Sequence, residues 1–106
     1  MQTMVKIVTF VPASHADSVR QALGDAGAGK IGNYTHCTFS VKGWGRFKPD
    51  TGANPTIGKI GELEMVEEER IETVCEERLV ARVAEAIRAV HPYEEVPIDV
   101  YPMVSA

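Results

Sequence analysis

The segment GAGKIGNYTHCTFSVKGWGRFKPDTGANPTIGKIG, residues 27–61, contains eight of the nine glycines in the chain. Glycine permits positive φ angles and a close approach of the main chain to a ligand or a neighbour, although it loses the most backbone entropy on folding. So many glycines in one segment indicate a specified surface, and we interpret the segment as a binding or assembly loop. The same glycines are equally compatible with a long mobile hairpin.

Regular patterns of apolar residues occur before, within and after this segment. Short alternating or β-branched runs predict four strands, and apolar residues at three- and four-residue spacing predict two helices. The predicted elements are a strand at 4–11, a helix between Pro12 and Gly27, a strand at 34–41, a strand at 62–74, a helix from the capping box Thr73-x-x-Glu76 to His91-Pro92, and a strand at 96–103. Residues 43–61 predict a broad excursion between the second and third strands. Val66 interrupts the alternation of the third strand, so we expect a β-bulge there.

The element order predicts an α+β, ferredoxin-like βαββαβ fold, with a four-stranded antiparallel sheet and two helices on one face. The other sheet face has no cover within the chain, yet the first strand carries apolar residues on both sides. A second copy of the chain is the simplest cover for such a surface. We therefore expect a homo-oligomer that packs sheet against sheet.

Length and charge limit the possible functions. The 106 residues predict one domain, residues 1–106. A net charge of −4 without a basic stripe argues against a nucleic-acid partner, and the acidic run Glu67-Glu68-Glu69 is interpreted as a solvated face. Cys37 and Cys75 are too few for a disulfide framework, and no secretory signal or membrane span is recognisable, so we expect a cytoplasmic protein.

Two overlapping glycine motifs within residues 24–32 resemble nucleotide-binding loops but lack the flanking strand and helix that such loops need. Residues 24–30 match the first seven positions of a phosphate loop, and residues 27–32 spell a dinucleotide fingerprint. Both chemistries need a strand that leads into a helix N-terminus, where amides point at the phosphate. Here the glycines follow a helix and precede a strand, so Gly27 is interpreted as a helix C-cap.

The histidines provide the other chemical candidates. His91-Pro92-Tyr93-Glu94-Glu95 places an imidazole, a phenol and two carboxylates in one turn, which could hold a divalent ion or simply stabilise the end of a helix. His36 lies on the polar face of the second strand. No two histidines have metal-ligand spacing on one helix face, and no Ser-His-Asp order or nucleophile elbow occurs.

Several strings of the sequence are shared with a known family. They are Gly27-Ala-Gly29-Lys-Ile-Gly32-Asn-Tyr34, His36-Cys37-x-Phe39, Gly43-x-Gly45-x-Phe47-x-Pro49, Gly52-Ala53-Asn54-Pro55-x-Ile57-Gly58 and His91-Pro92-Tyr93-Glu94-Glu95. In these strings, which span nearly the whole chain, the sequence resembles the small domain inserted in YqfO-type proteins of the dinuclear-metal, GTP cyclohydrolase type 2 homologue family. The resemblance implies a PII/CutA-like fold that assembles in threes. The two-metal site of that family lies in flanking domains without a counterpart here, so the resemblance implies a free-standing insert without the parent activity.

We therefore expect a non-catalytic, trimeric, PII/CutA-like module that binds a divalent metal or a small anionic metabolite at clefts between subunits. The metal candidates are His36, His91 and Glu94, and the candidates for ligand or interface contacts are Tyr34, Trp44, Phe47, Asn54 and Tyr93. The alternative is a structural or protein-interaction module with no small ligand. A small enzyme that uses His91 and Glu94 as acid and base has the least support.

Overall fold

Within the residues that the structure describes, 3–104 and 106, two helices and four strands follow one another in the predicted order. In this computed structural model the elements are β1 (Met4–Pro12), α1 (Ala16–Asp25), β2 (Thr38–Phe47), β3 (Glu64–Glu76), α2 (Val80–Val90) and β4 (Ile98–Pro102). A short 3₁₀ turn precedes each helix. The arrangement confirms the α+β, ferredoxin-like βαββαβ fold. None of the helices in this part of the chain is long and apolar enough to cross a membrane.

The strands form one antiparallel sheet in the order β2-β3-β1-β4, with both helices on one face. Alternate residues of β1 face the helices, and each is almost fully buried because β3 and β4 flank it. The core cluster that they form with β3 and the helices includes Val5, Ile7, Val11, Val19, Leu23, Ile71, Cys75, Val83 and Ile87. Each large apolar side chain buried in this way contributes ~1.5–3 kcal/mol to folding.

Gly27 ends α1 as the sequence predicts. Its φ angle is 108°, and its N–H donates to the carbonyl of Gly24 at 3.0 Å. The N–H of Ala28 donates to the carbonyl of Leu23 at 3.0 Å. This pair of hydrogen bonds is the Schellman motif, which requires a left-handed residue that only glycine adopts without strain.

The second and third strands differ from the sequence prediction at their ends. β2 begins at Thr38 and continues to Phe47, so residues 43–47 belong to the sheet and not to the excursion. The ladder between β2 and β3 is unbroken and pairs Gly45 with Val66. The predicted bulge at Val66 is therefore wrong, because both faces of this part of β3 are partly exposed and the alternation of side chains does not have to follow a buried core.

The predicted capping box of the second helix is also wrong. Thr73 and Glu76 both lie within β3, and α2 begins only at Val80, without a side-chain cap. The hydroxyl of Thr73 instead donates to the main-chain carbonyl of Cys37 at 2.8 Å. A buried position in the sheet has outweighed the local capping preference of this threonine.

The ladder between β2 and β3 extends beyond the rest of the sheet. β1 pairs with β3 only as far as Glu68, whereas β2 pairs with β3 as far as Glu64. Residues 44–47 and 64–67 thus form a two-stranded projection, which we call the hairpin arm. Trp44 and Met65 of the arm are largely exposed, although they lie on the side of the sheet that carries the helices.

The sheet face away from the helices, which we call the open face, is partly apolar. Phe39 and Val41 of β2 and Tyr101 of β4 are exposed there. Val8 is fully buried although it does not belong to the core cluster. Charged side chains lie around it: Lys6 and Arg70 both contact Glu72, at 3.5 Å and 3.1 Å, and the Arg70 guanidinium lies 5.7 Å from the centroid of the Phe10 ring.

Candidate functional site

The loop between the two long strands, residues 48–63, folds back onto the turn that follows α2. The Asn54 N–H donates to Glu94 Oε2 at 3.0 Å, and the Thr56 hydroxyl donates to the carbonyl of Pro92 at 2.6 Å. The Gly61 N–H closes the loop on itself by donating to the carbonyl of Pro49 at 2.7 Å. These contacts favour a specified loop over a long mobile hairpin.

His91 is a buried structural histidine at the end of α2. Its Nε2 lies 2.7 Å from the carbonyl oxygen of Phe10, which can only accept, so Nε2 carries the proton and donates. Its Nδ1 accepts the N–H of Tyr93 at 3.1 Å. The ring is therefore neutral, and burial lowers the pKa of His91 below its ordinary value despite the contact with Phe10.

Tyr93 reaches from this turn to the open face and binds a buried carboxylate. Its hydroxyl donates to Glu68 Oε2 at 2.6 Å, and its ring packs edge-on against Phe47 with centroids 6.1 Å apart. The same ring packs against the imidazole of His91 in a tilted arrangement, with centroids 5.0 Å apart. Burial, reinforced by the hydrogen bond to Glu68, raises the pKa of the Tyr93 phenol well above its ordinary value, so the phenol stays a donor.

Glu68 occupies an unusual position for a carboxylate. It lies opposite Pro12 of β1 and Gly43 of β2, and only 9% of the residue is exposed. A Cβ atom on Gly45 would overlap Glu68 Oε1, so any other residue at this strand position would displace the carboxylate from where it lies. Gly45 thus makes room for a buried acid.

A cavity of about 470 Å³ lies beside the Tyr93–Glu68 pair. Its walls come from the open face, the folded-back loop and the turn after α2. The aromatic residues of the wall are Phe10, Phe47 and Tyr93, and the ionisable ones besides Tyr93 are Arg46, Glu68, Glu94 and Glu95. Three carboxylates against one guanidinium disfavour an anion, so the structure argues against the expected small anionic metabolite at this place.

His36 lies beside the C-terminal end of α1, away from the turn that contains His91. Its Nε2 is 2.9 Å from Asp25 Oδ1 at the end of α1, and this contact lowers the pKa of the Asp25 carboxyl. His91 instead binds the carbonyl of Phe10, near the end of β1 that leads into the start of α1. The ten residues of α1, about 15 Å of helix, thus separate the two predicted metal ligands.

The predicted metal ligands consequently do not form one site within a single chain. Glu94 lies near His91 in the turn, but its Oε2 accepts the Asn54 N–H. Among residues 3–104 and 106, no three His, Cys, Asp or Glu side chains are grouped closely enough to hold a metal ion.

The structure divides the remaining predicted contact residues into two groups. Phe47 and Tyr93 line the cavity. Asn54 does not line it, but its main-chain N–H donates to Glu94, which does. Tyr34 and Trp44, in contrast, are exposed and lie outside the cavity wall. The glycines of the two nucleotide-like motifs also lie elsewhere.

Sequence reasoning missed Glu68, which it treated as part of a solvated acidic run. In the structure Glu67 is exposed, Glu68 is buried, and Glu69 binds Arg20 of α1 at 2.6 Å. The available signal was Gly43 together with Gly45, because two glycines at alternate positions of one strand leave a gap on a single sheet face.

Comparison with known proteins relates the chain to longer proteins. A "GTP cyclohydrolase 1 type 2 homolog" of Halalkalibacterium halodurans is 53% identical over 104 residues, which is 98% of this chain and 28% of that protein. The solved structure of a Bacillus cereus protein related to NIF3 superposes with a TM-score of 0.86 and 53% identity over 98% of this chain and 26% of that one. The chain thus spans about a quarter of the length of these relatives.

The fold itself has smaller counterparts. The periplasmic divalent cation tolerance protein CutA from Archaeoglobus fulgidus matches with a TM-score of 0.71 over 97% of this chain and 86% of that one, at 16% identity. At that identity the similarity concerns the fold alone. No family model matches the chain. The chain is therefore homologous to a segment of the proteins named GTP cyclohydrolase 1 type 2 homolog, and the fold of this segment is CutA-like.

Proposed function

We propose that this chain is a non-catalytic, self-associating PII/CutA-like module, a trimer as its family resemblance implies, with a small-ligand site next to the subunit contacts. The observation that carries the proposal is the combination of the hairpin arm and the open face. Both expose large apolar side chains that no part of residues 3–104 and 106 covers. The free thiols of Cys37 and Cys75 are consistent with the expected cytoplasmic location.

The hairpin arm supports self-association because an isolated two-stranded ribbon is only marginally stable in water. Four residue pairs of β2 and β3 extend past β1, and Trp44 at the base of the arm is 65% exposed. Phe39 and Val41 of β2 form a second exposed apolar surface, on the open face and thus on the side of the sheet opposite Trp44. A second copy that packs on the open face and contacts the arm would cover both surfaces.

The contacts of His91 and Glu94 support a non-catalytic role. Both ring nitrogens of His91 bind main-chain atoms, so the ring has no free nitrogen with which to move a substrate proton. Glu94 helps to hold the folded-back loop. The hypothesis of an enzyme that uses these two residues as acid and base is not supported by this geometry.

Self-association can be tested by size-exclusion chromatography with light scattering at micromolar protein. We expect three times the mass of one chain, and a monomer would refute the proposal. Val41→Glu places a charge on the open face and should shift the mass towards that of one chain. Lys42→Glu changes the next residue, which lies on the opposite face, and serves as the control.

Metal binding is proposed only as a site shared between subunits, since His36 and His91 are distant within one chain. Isothermal titration of chelator-treated protein with Zn²⁺, Cu²⁺ and Ni²⁺ tests this version. Saturable uptake that disappears in His36→Ala would support it. Absence of uptake by the assembled protein would refute it.

The second candidate is a protein-interaction module with no small ligand, and the exposure of Trp44 away from the cavity favours it. Trp44→Ala tests whether the arm is a subunit contact, and small-molecule binding by the native protein distinguishes the two functions. Loss of assembly without any measurable small-molecule binding in the native protein would support the interaction module. Intact trimers would indicate that the arm is not a principal contact.

A further inference from the structure

Glu68 is a buried carboxylate without a cationic partner in the described part of the chain. Tyr93 donates to its Oε2, but no donor in residues 3–104 and 106 reaches Oε1. No lysine, arginine or histidine of these residues forms an ion pair with it either. No buried side-chain oxygen or nitrogen of these residues lacks a hydrogen-bond partner, so Oε1 is open to solvent and is free to accept from a molecule in the cavity.

The surroundings of Glu68 match a specific kind of partner. The cavity beside it is large enough for a small organic molecule, and Phe10, Phe47 and Tyr93 provide aromatic surface. Such surface favours an apolar body and also attracts cations through the ring faces. The remaining charged groups of the wall, Glu94 and Glu95 against Arg46, leave the cavity negative even without Glu68.

We propose that this cavity binds a small molecule that combines an apolar, ring-sized body with a protonated amine, and that the amine donates to Glu68 Oε1. The proposal deepens the function proposed above, because it names the ligand class of the site next to the subunit contacts. Tyr93 positions the carboxylate by holding Oε2, so that Oε1 faces the ligand. Gly45 leaves the space in which this oxygen lies.

An organic ammonium group fits the site better than the alternatives. A divalent metal needs several oxygen or nitrogen ligands, and no three His, Cys, Asp or Glu side chains of residues 3–104 and 106 are grouped closely enough to supply them. An anion would meet an excess of carboxylates. One ammonium group, in contrast, needs few acceptors and gains most when it replaces water at a buried acid.

Three probes of nearly equal shape test the inference on the native protein. They are 2-phenylethylamine, 2-phenylethanol and 3-phenylpropanoate, which differ in the charge of one end. Amide chemical shifts in ¹H–¹⁵N spectra, followed through a titration, give the Kd and the location. We expect the amine to bind at least about tenfold more tightly than the alcohol, the carboxylate to bind most weakly, and the shifts to centre on Gly45 and Tyr93.

Paired variants assign the preference to one side chain. Glu68→Gln should abolish the advantage of the amine over the alcohol, whereas Glu67→Gln, which removes the same charge from the other sheet face, should retain it. Equal affinities of the three probes, absence of binding, shifts centred elsewhere, or a retained preference in Glu68→Gln would each overturn the inference. If Glu68→Gln does not fold, the probe series on the native protein decides alone.

Light scattering on the titrated samples separates this inference from the proposed assembly. A trimer that binds no amine would refute the amine site and leave self-association standing. A monomer that binds the amine at Glu68 would refute self-association and support the site. A trimer in which a neighbouring subunit fills the cavity would show no amine binding and would likewise overturn the inference.

Discussion

Replacing Tyr93 by phenylalanine isolates the hydrogen bond on which the site depends. The change removes one oxygen atom, the donor to Glu68 Oε2 at 2.6 Å, and keeps the ring between Phe47 and His91. Glu68 is only 9% exposed, so water replaces the lost donor poorly. A hydrogen bond to a charged group is worth roughly 1.5–3 kcal/mol, and we expect a loss of that size in the free energy of unfolding.

The measurement is urea denaturation of native, Tyr93→Phe, Glu68→Gln and the double variant, all at one protein concentration because assembly contributes to apparent stability. The double-mutant cycle gives the coupling between the two side chains, which we expect to exceed about 1 kcal/mol. A loss below roughly 0.5 kcal/mol in Tyr93→Phe, with no coupling to Glu68, would refute the view that the phenol holds the carboxylate.

Two further predictions concern the helices. Arg20→Met should lower the free energy of unfolding in urea melts by roughly 1–3 kcal/mol, because the side chain of its partner Glu69 is only 12% exposed. Asp17 also binds Arg20, but its side chain is 99% exposed, so Asp17→Asn should cost less than about 0.5 kcal/mol. Equal losses in the two variants would contradict this difference. The second prediction concerns pH. Folding lowers the pKa of His91, so below about pH 6.5 the unfolded chain binds more protons than the folded protein does. The free energy of unfolding should therefore fall as the pH decreases through that range. His91→Gln should show a smaller decrease between about pH 7 and pH 5 in melts at each pH, and an unchanged slope would contradict the assignment.

The order of the elements could be predicted from the sequence because each element has a clear apolar period. Val5, Ile7 and Val11 alternate along β1, and Leu23 and Val83 belong to stripes of helical spacing, so local pattern and tertiary burial agree there. The end of α1 at Gly27 was predictable for the same reason, since a left-handed C-cap is a local property of glycine.

Strand ends and the site depend on pairing between distant segments, which periodicity does not encode. Thr73 resembles a helix cap in the sequence, but its hydroxyl binds the carbonyl of Cys37, 36 residues away. Glu68 resembles a solvated acid in the sequence, and only the pairing of β2 with β3 reveals that Gly45 lies beside it and leaves space for its carboxylate. His36, predicted on a strand, precedes β2 with a φ angle of 59°, and its ring lies over Gly24 of α1.

The position of Trp44 has a practical consequence for spectroscopy. It is the single tryptophan of the chain, and its indole lies on the arm and outside the cavity wall. Its fluorescence should therefore shift to shorter wavelength when subunits come together and should remain unchanged when a colourless amine enters beside Glu68. Diluting the native protein while following the emission maximum would thus read out association alone, without a label.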